Sequence, residues 1–208
     1  MNLILLFLSA LLRMALPGYS GGPAAPEAPD AADALYRECG LAGLLDEDAF
    51  VKALQSRAEH HEEAGILAVA DMTRPSTEKR LFIIDLRSRK LLLQTWVAHG
   101  KNSGDLYCTS VSNKEGSLQT SQGLYRVGEQ ITSPKHGAAL LLHGLDRGLN
   151  SAALQREVII HAAPYVGAAF IAQHGRLGRS WGCPAVAPEV MPRLIDLLQG
   201  QLLYVFAK

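Results

Sequence analysis

Charge of either sign is not in excess here: lysine plus arginine number 20, as do aspartate plus glutamate. A formal net charge of zero gives no electrostatic case for nucleic acid or for an anionic membrane surface, and no nucleic-acid-binding motif accompanies it. No stretch reaches the roughly 20 apolar residues that a membrane-spanning helix needs. The three cysteines, Cys39, Cys108 and Cys183, form no CxxC pair, and there is no HExxH. A zinc ribbon and a zincin-type metal site are therefore disfavoured. An odd cysteine count leaves at least one thiol unpaired within the chain, whether or not Cys39 and Cys108 join.

What is present is apolar substance. Hydrophobic residues make up 48% and charged residues 19% of 208, enough to bury the core of one ordinary domain. The apolar run Leu3–Leu12, followed by Arg13 and small residues from Gly18 to Ala25, suits the core of a secretory signal better than a membrane span. Residues 1–25 are read as signal peptide and linker start, with a Pro/Ala/Gly-rich linker over 21–29. The expectation is export to the periplasm or cell envelope, the mature chain starting between about Gly18 and Asp30. A buried N-terminal helix is the alternative.

Residues 26–64 read as a helical segment. Asp30 can cap a helix running to a stop near Gly40, and Asp46 a second with Phe50, Val51, Leu54 and Ala58 on one face. His60-His61 is read as a solvated helix end, where the dipole favours cations, rather than a metal site. From residue 65 to 208 the pattern turns to strands: Ile66–Ala70, Arg80–Leu86, Leu91–His99, Leu124–Val127, Ala138–His143, Glu157–His161 and Leu202–Phe206. Short helices are expected at Ser151–Arg156, Val166–Gln173 and Glu189–Gln199. Residues 100–123 form a long loop, which in a compact domain is usually functional. Strands punctuated by helices give an α+β class.

The densest unusual segment is Gly175-Arg176-Leu177-Gly178-Arg179-Ser180-Trp181-Gly182-Cys183-Pro184-Ala185. Three glycines and a proline around one cysteine imply a backbone of special shape. Pro184 drives Cys183 toward an extended conformation and has no N–H. Oxyanion donors would come from Trp181, Gly182 or Cys183. A cysteine nucleophile needs a base, and His161, closing the apolar strand Val158-Ile159-Ile160, is the candidate, with His174 in reserve. Spacing alone leaves a second reading open, a core thiol in a tight turn with an unrelated histidine.

The pattern His161-Ala162, then residues 163–179, then Ser180-Trp181-Gly182-Cys183 resembles the signature of the bacterial L,D-transpeptidases. It departs from that signature at Ala162 and Trp181, where glycine and histidine are usual. The fit is closer to the murein L,D-transpeptidase catalytic domain branch of the YkuD-like enzymes. That likeness includes Val97–Gly104, Ser112-Asn113, Gly144–Asp146, Asn150 and the whole 175–185 block. The resemblance implies a β-rich catalytic domain, a mixed-sheet sandwich or barrel. It implies Cys183 as nucleophile and His161 as base, with Arg179, Ser180, Trp181 and Gly182 at the substrate. Peptidoglycan stem peptides would be the partners, with no cofactor and no metal. Asp146, Glu157 or a backbone carbonyl would orient His161. Arg179 would hold a substrate carboxylate or tether its loop. Two rival readings are a zinc peptidase using His161, His174 and Cys183, and a non-catalytic wall-binding module.

Overall fold

The computed structural model describes residues 29–208; the expected signal peptide and most of the expected linker lie outside them. Two helices open the described chain, α1 (Pro29–Glu38) and α2 (Glu47–Glu59). The Asp46 side chain accepts from Ala49 N at 3.3 Å and caps α2. The strands are β1 (Ile66–Asp71), β2 (Leu81–Asp85), β3 (Lys90–Thr95), β4 (Gly123–Ser133), β5 (Gly137–Gly144), β6 (Ile159–Ala162), β7 (Ala185–Val186) and β8 (Leu202–Phe206). Helices α3 (Ala168–His174) and α4 (Met191–Leu198) punctuate them. Among the described residues no helix is long and apolar enough to cross a membrane.

One mixed sheet runs β3-β2-β1-β8-β4-β5-β6-β7. Neighbours are antiparallel except β1–β8 and β6–β7. The chain that continues β3 returns to the opposite edge, where Ala98 bridges Ala185. The two edges of the sheet are thereby joined, which gives a near-barrel and leaves little open edge.

Alternation along β1 shows why the apolar runs are continuous. Leu67 and Val69 pack with Phe50, Ala53 and Leu54 of α2, while Ala68 and Ala70 pack with Leu194 and Leu198 of α4. The sheet is covered on both faces, so both side-chain sets must be apolar. A third, smaller cluster of Ala98, Ala163, Val166, Leu177, Ala185 and Ala187 underlies the segment that carries Cys183.

One expectation is corrected, and one open point is answered. Residues 151–156 form successive turns rather than a helix. Asp146 and Asn150 fix the start of this stretch by bonding their side chains to Leu124 N and O, which competes with a helical ladder. Cys39 and Cys108 are unpaired and lie in the two different cores on either side of the sheet. His60 bonds Asp146 at 2.6 Å, so the helix end grips the loop before residue 151.

Candidate active site

The site is built where β6 meets β7. In their parallel register His161 stands opposite Ala185 and Ala162 opposite Val186. Cys183 lies two residues before Ala185, as Ile159 lies two residues before His161. The segment carrying Cys183 is held from its other side as well. Ser180 N donates to His99 O at 3.0 Å, Lys101 N to Ser180 O at 2.8 Å, and Ala98 N to Ala185 O at 2.8 Å. The stretch Val97–Gly104 thus serves as a backbone splint for the cysteine turn.

His161 is 2% exposed. Its Nδ1 lies 2.9 Å from Ala162 O. A carbonyl can only accept, so Nδ1 carries the proton and Nε2 keeps its lone pair. The backbone carbonyl, not Asp146 or Glu157, orients the ring: Asp146 is bonded to His60 and Leu124. The His136 ring stacks on His161 with centroids 3.8 Å apart. Burial holds the His161 pKa below its usual value. The neighbouring His136 and Lys135 act the same way, and the bond to Ala162 opposes them. Burial and these neighbours favour the neutral imidazole.

The Cys183 side chain is half-buried, and its S–H lies 3.9 Å from Glu157 O. Burial pushes the thiol pKa up, against the opposing pull of the Ile159 amide and the Arg156 guanidinium. Ser180 Oγ donates to Cys183 O at 2.5 Å and accepts from Gly182 N at 3.1 Å. That closes the turn and takes the Gly182 N–H out of the expected donor set. The N–H groups of Trp181 and Cys183 bond to no protein acceptor among the described residues. Gly182 has φ +128°, which favours glycine. A Cβ there would stand 2.8 Å from Gln119 O. The close approach that requires glycine at this position is made by the protein's own loop.

Among the expected substrate contacts, Arg179 spends its guanidinium inside the fold. It donates to Gly104 O at 3.0 Å and pairs with Asp105 at 3.2 Å, so it tethers the long loop. Trp181 is 65% exposed. Lys135 and Lys101 lie 4.2 and 5.8 Å from its ring centroid, a cation-flanked indole beside the cysteine. His174 ends α3, exposed and stacked on Phe170. Among the described residues no three His, Cys, Asp or Glu side chains are grouped to hold a metal.

Four neighbours of the site were not singled out in the sequence: Lys135, His136, Arg156 and Tyr165. Burial and the nearby Cys183 push the Tyr165 pKa to about 12. Lys135 and His136 sit on the β4–β5 turn, far from the motif in sequence. Arg156 precedes β6 and bonds to the long loop. A cavity of about 440 Å³ opens beside His136 and Ala162, walled by Ala138, Met191 and Ile195. A second, of about 480 Å³ near Tyr36, Asp46 and Arg74, contains none of these residues.

The model of the L,D-transpeptidase catalytic domain matches residues 44–206. A comparison with curated proteins finds no match. Solved structures similar to this chain include an L,D-transpeptidase from Mycobacterium smegmatis, with 16% identity and a TM-score of 0.44, over 70% of this chain and 60% of that one. An L,D-transpeptidase from Stackebrandtia nassauensis has 14% identity and a TM-score of 0.43, over 86% and 77%. The helical cell shape determining protein Pgp2 from Campylobacter jejuni has 14% identity and a TM-score of 0.46, over 70% and 49%. The matched region therefore spans 60% of the first of these proteins and 49% of the last. With the family model covering well over half of its residues, the chain belongs to the L,D-transpeptidase catalytic domain family.

Proposed function

We propose that this protein is an exported peptidoglycan L,D-transpeptidase that works through a thioester on Cys183. The observation that supports this reading is the β6–β7 register, which pairs His161 with Ala185, two residues after Cys183. The resting pair is neutral: a thiol with a raised pKa and an imidazole with a lowered one. A preformed ion pair is therefore not the resting state. His161 Nε2 takes the thiol proton as sulfur attacks the carbonyl at the L-centre of a stem-peptide diamino acid. The S–H turns from Glu157 O to the imidazole for this step. The oxyanion is met by the free N–H groups of Trp181 and Cys183. Collapse expels the terminal D-alanine, whose amine takes the proton from His161. An amine of a second stem then loses a proton to His161 and attacks the thioester. The C–S bond breaks, Cys183 leaves as thiolate and takes that proton back, and a cross-link is formed; if water attacks, the product is a shortened stem.

Incubation with a disaccharide-tetrapeptide, followed by mass analysis of the products, tests the reading. D-alanine release with dimer formation is the expected result, and no turnover by folded protein would refute it.

The lowered pKa of His161 sets the pH dependence. A group whose pKa is depressed stays neutral to lower pH, so the acid limb of kcat/KM should lie below the free imidazole value of about 6.5. The rate should be flat through neutrality and fall only on further acidification. Half-loss at or above that value would contradict the assignment.

Turnover should also survive EDTA. Loss with EDTA and recovery with zinc would instead favour a metal peptidase.

A further inference from the structure

Between the cysteine turn and the long loop stands a side chain that the reaction scheme does not use. Arg156 Nη1 donates to Ser112 O at 2.7 Å, and Nη2 to Gln119 O at 2.6 Å. Nη2 also lies 3.5 Å from Ser117 Oγ. The same Nη2 is 3.2 Å from the point a Cβ on Gly182 would occupy, and Gln119 O is 2.8 Å from it. Guanidinium and carbonyl together therefore pack against the backbone that leads into Cys183.

The chain on both sides of this contact is in an unusual conformation. Leu118 has φ +57° and Glu157 φ +54°, left-handed values at non-glycine residues. Such conformations persist where the surroundings over-determine them, and they cluster at functional sites. One of the two immediately precedes Gln119, whose carbonyl Arg156 holds. The other is Glu157, whose carbonyl accepts the Cys183 S–H.

We propose that Arg156 is a positioning residue for Cys183: its fork fixes the Ser112–Gln119 wall behind Gly182 and sets a positive charge beside the sulfur. The proposal rests on reading Cys183 as the nucleophile. Charged and titratable groups that act on the sulfur are Arg156 and Glu157 from the turn before β6, Tyr125 on β4 and Tyr165 after β6, with His161 on β6 opposite Ala185. His161 is neutral and the tyrosines are protonated, so Arg156 is the cation of this set. It opposes the Glu157 carboxylate and favours the thiolate that forms on attack. A planar fork is needed to bridge two carbonyls; lysine would keep the charge and lose the bridge.

The test separates charge from clamp. Cys183-specific alkylation by iodoacetamide is followed against pH by peptide mass spectrometry, beside kcat and KM for stem-peptide turnover. Arg156→Gln should move the alkylation profile up by about one pH unit, which is about tenfold slower labelling near neutrality. Arg156→Lys should keep the profile close to wild type but lower kcat about tenfold with little change in KM. An unmoved profile in folded Arg156→Gln would overturn the proposal, as would wild-type kcat in Arg156→Lys. If the glutamine variant does not fold, the lysine variant decides by its kcat. Alkylation reads the sulfur whatever reaction it serves. A Cys183→Ala protein that kept turnover would thus remove the nucleophile assignment, while the labelling comparison would still decide the role of Arg156.

Discussion

Cys183→Ala is expected to abolish stem-peptide turnover, a loss of at least about 10⁴-fold in kcat by the scale of other nucleophile deletions. The protein should stay folded. Cys183 is half-buried and packs only at the margin of the main core, and removing one sulfur there leaves a small gap. The turn does not depend on the sulfur, because Ser180 closes it through Gly182 N and Cys183 O. Cys39→Ala and Cys108→Ala should each retain turnover, since both thiols are buried in the two main cores. Circular dichroism would establish the fold and the muropeptide assay the activity. Wild-type turnover in Cys183→Ala would remove the covalent mechanism.

His161→Gln should slow acylation by about 100-fold or more, the usual scale for a positioned general base. Glutamine approximates the volume, which matters because the ring is buried and stacked on His136. Alanine would add a cavity and blur loss of the base with loss of packing. A resting thiol with a raised pKa makes the effect larger, because little thiolate exists without a proton acceptor. His174→Ala should change the rate little, for that ring stacks outward on Phe170. The assignment fails if His174→Ala is the crippling change and His161→Gln is mild. If neither matters, backbone donors alone would have to activate the sulfur.

Much of the frame was legible because it is local. Short apolar runs bounded by polar or glycine-bearing turns marked seven of the eight strands, and Asp46 marked the start of α2. The eighth strand, Ala185–Val186, is two residues long and has no period to read; only its pairing with β6 defines it. The turns over 151–156 were hidden for a related reason. Their apolar spacing suits a helix, and the groups that prevent one, Leu124 and the Asp146 and Asn150 side chains, act across the fold.

The site divided along the same line. Cys183 and His161, the proposed nucleophile and base, stand out in the sequence by residue type and by the Gly/Pro frame around one of them. Their supports were not. His136 and Lys135 come from a hairpin turn, and Arg156 reads as one more surface cation until its two carbonyl partners are seen. Arg179 carried the opposite lesson. A cation in the motif could serve substrate or loop equally well, and the pairing of its Nη1 with Asp105 and Gly104 O shows the loop contact. At Gly182 the point that a Cβ would occupy lies 2.8 Å from Gln119 O, a close approach made within the protein itself.

The most direct measurement of the central claim is intact-protein mass after incubation with a carbapenem, followed by peptide mapping. A thiolate that opens the β-lactam ring retains the whole ligand, so the adduct weighs as much as the carbapenem itself. One adduct on the peptide that contains Cys183, and none on Cys183→Ala, is the predicted result. An adduct that persists in Cys183→Ala, or no adduct on the folded wild-type protein, would contradict the account.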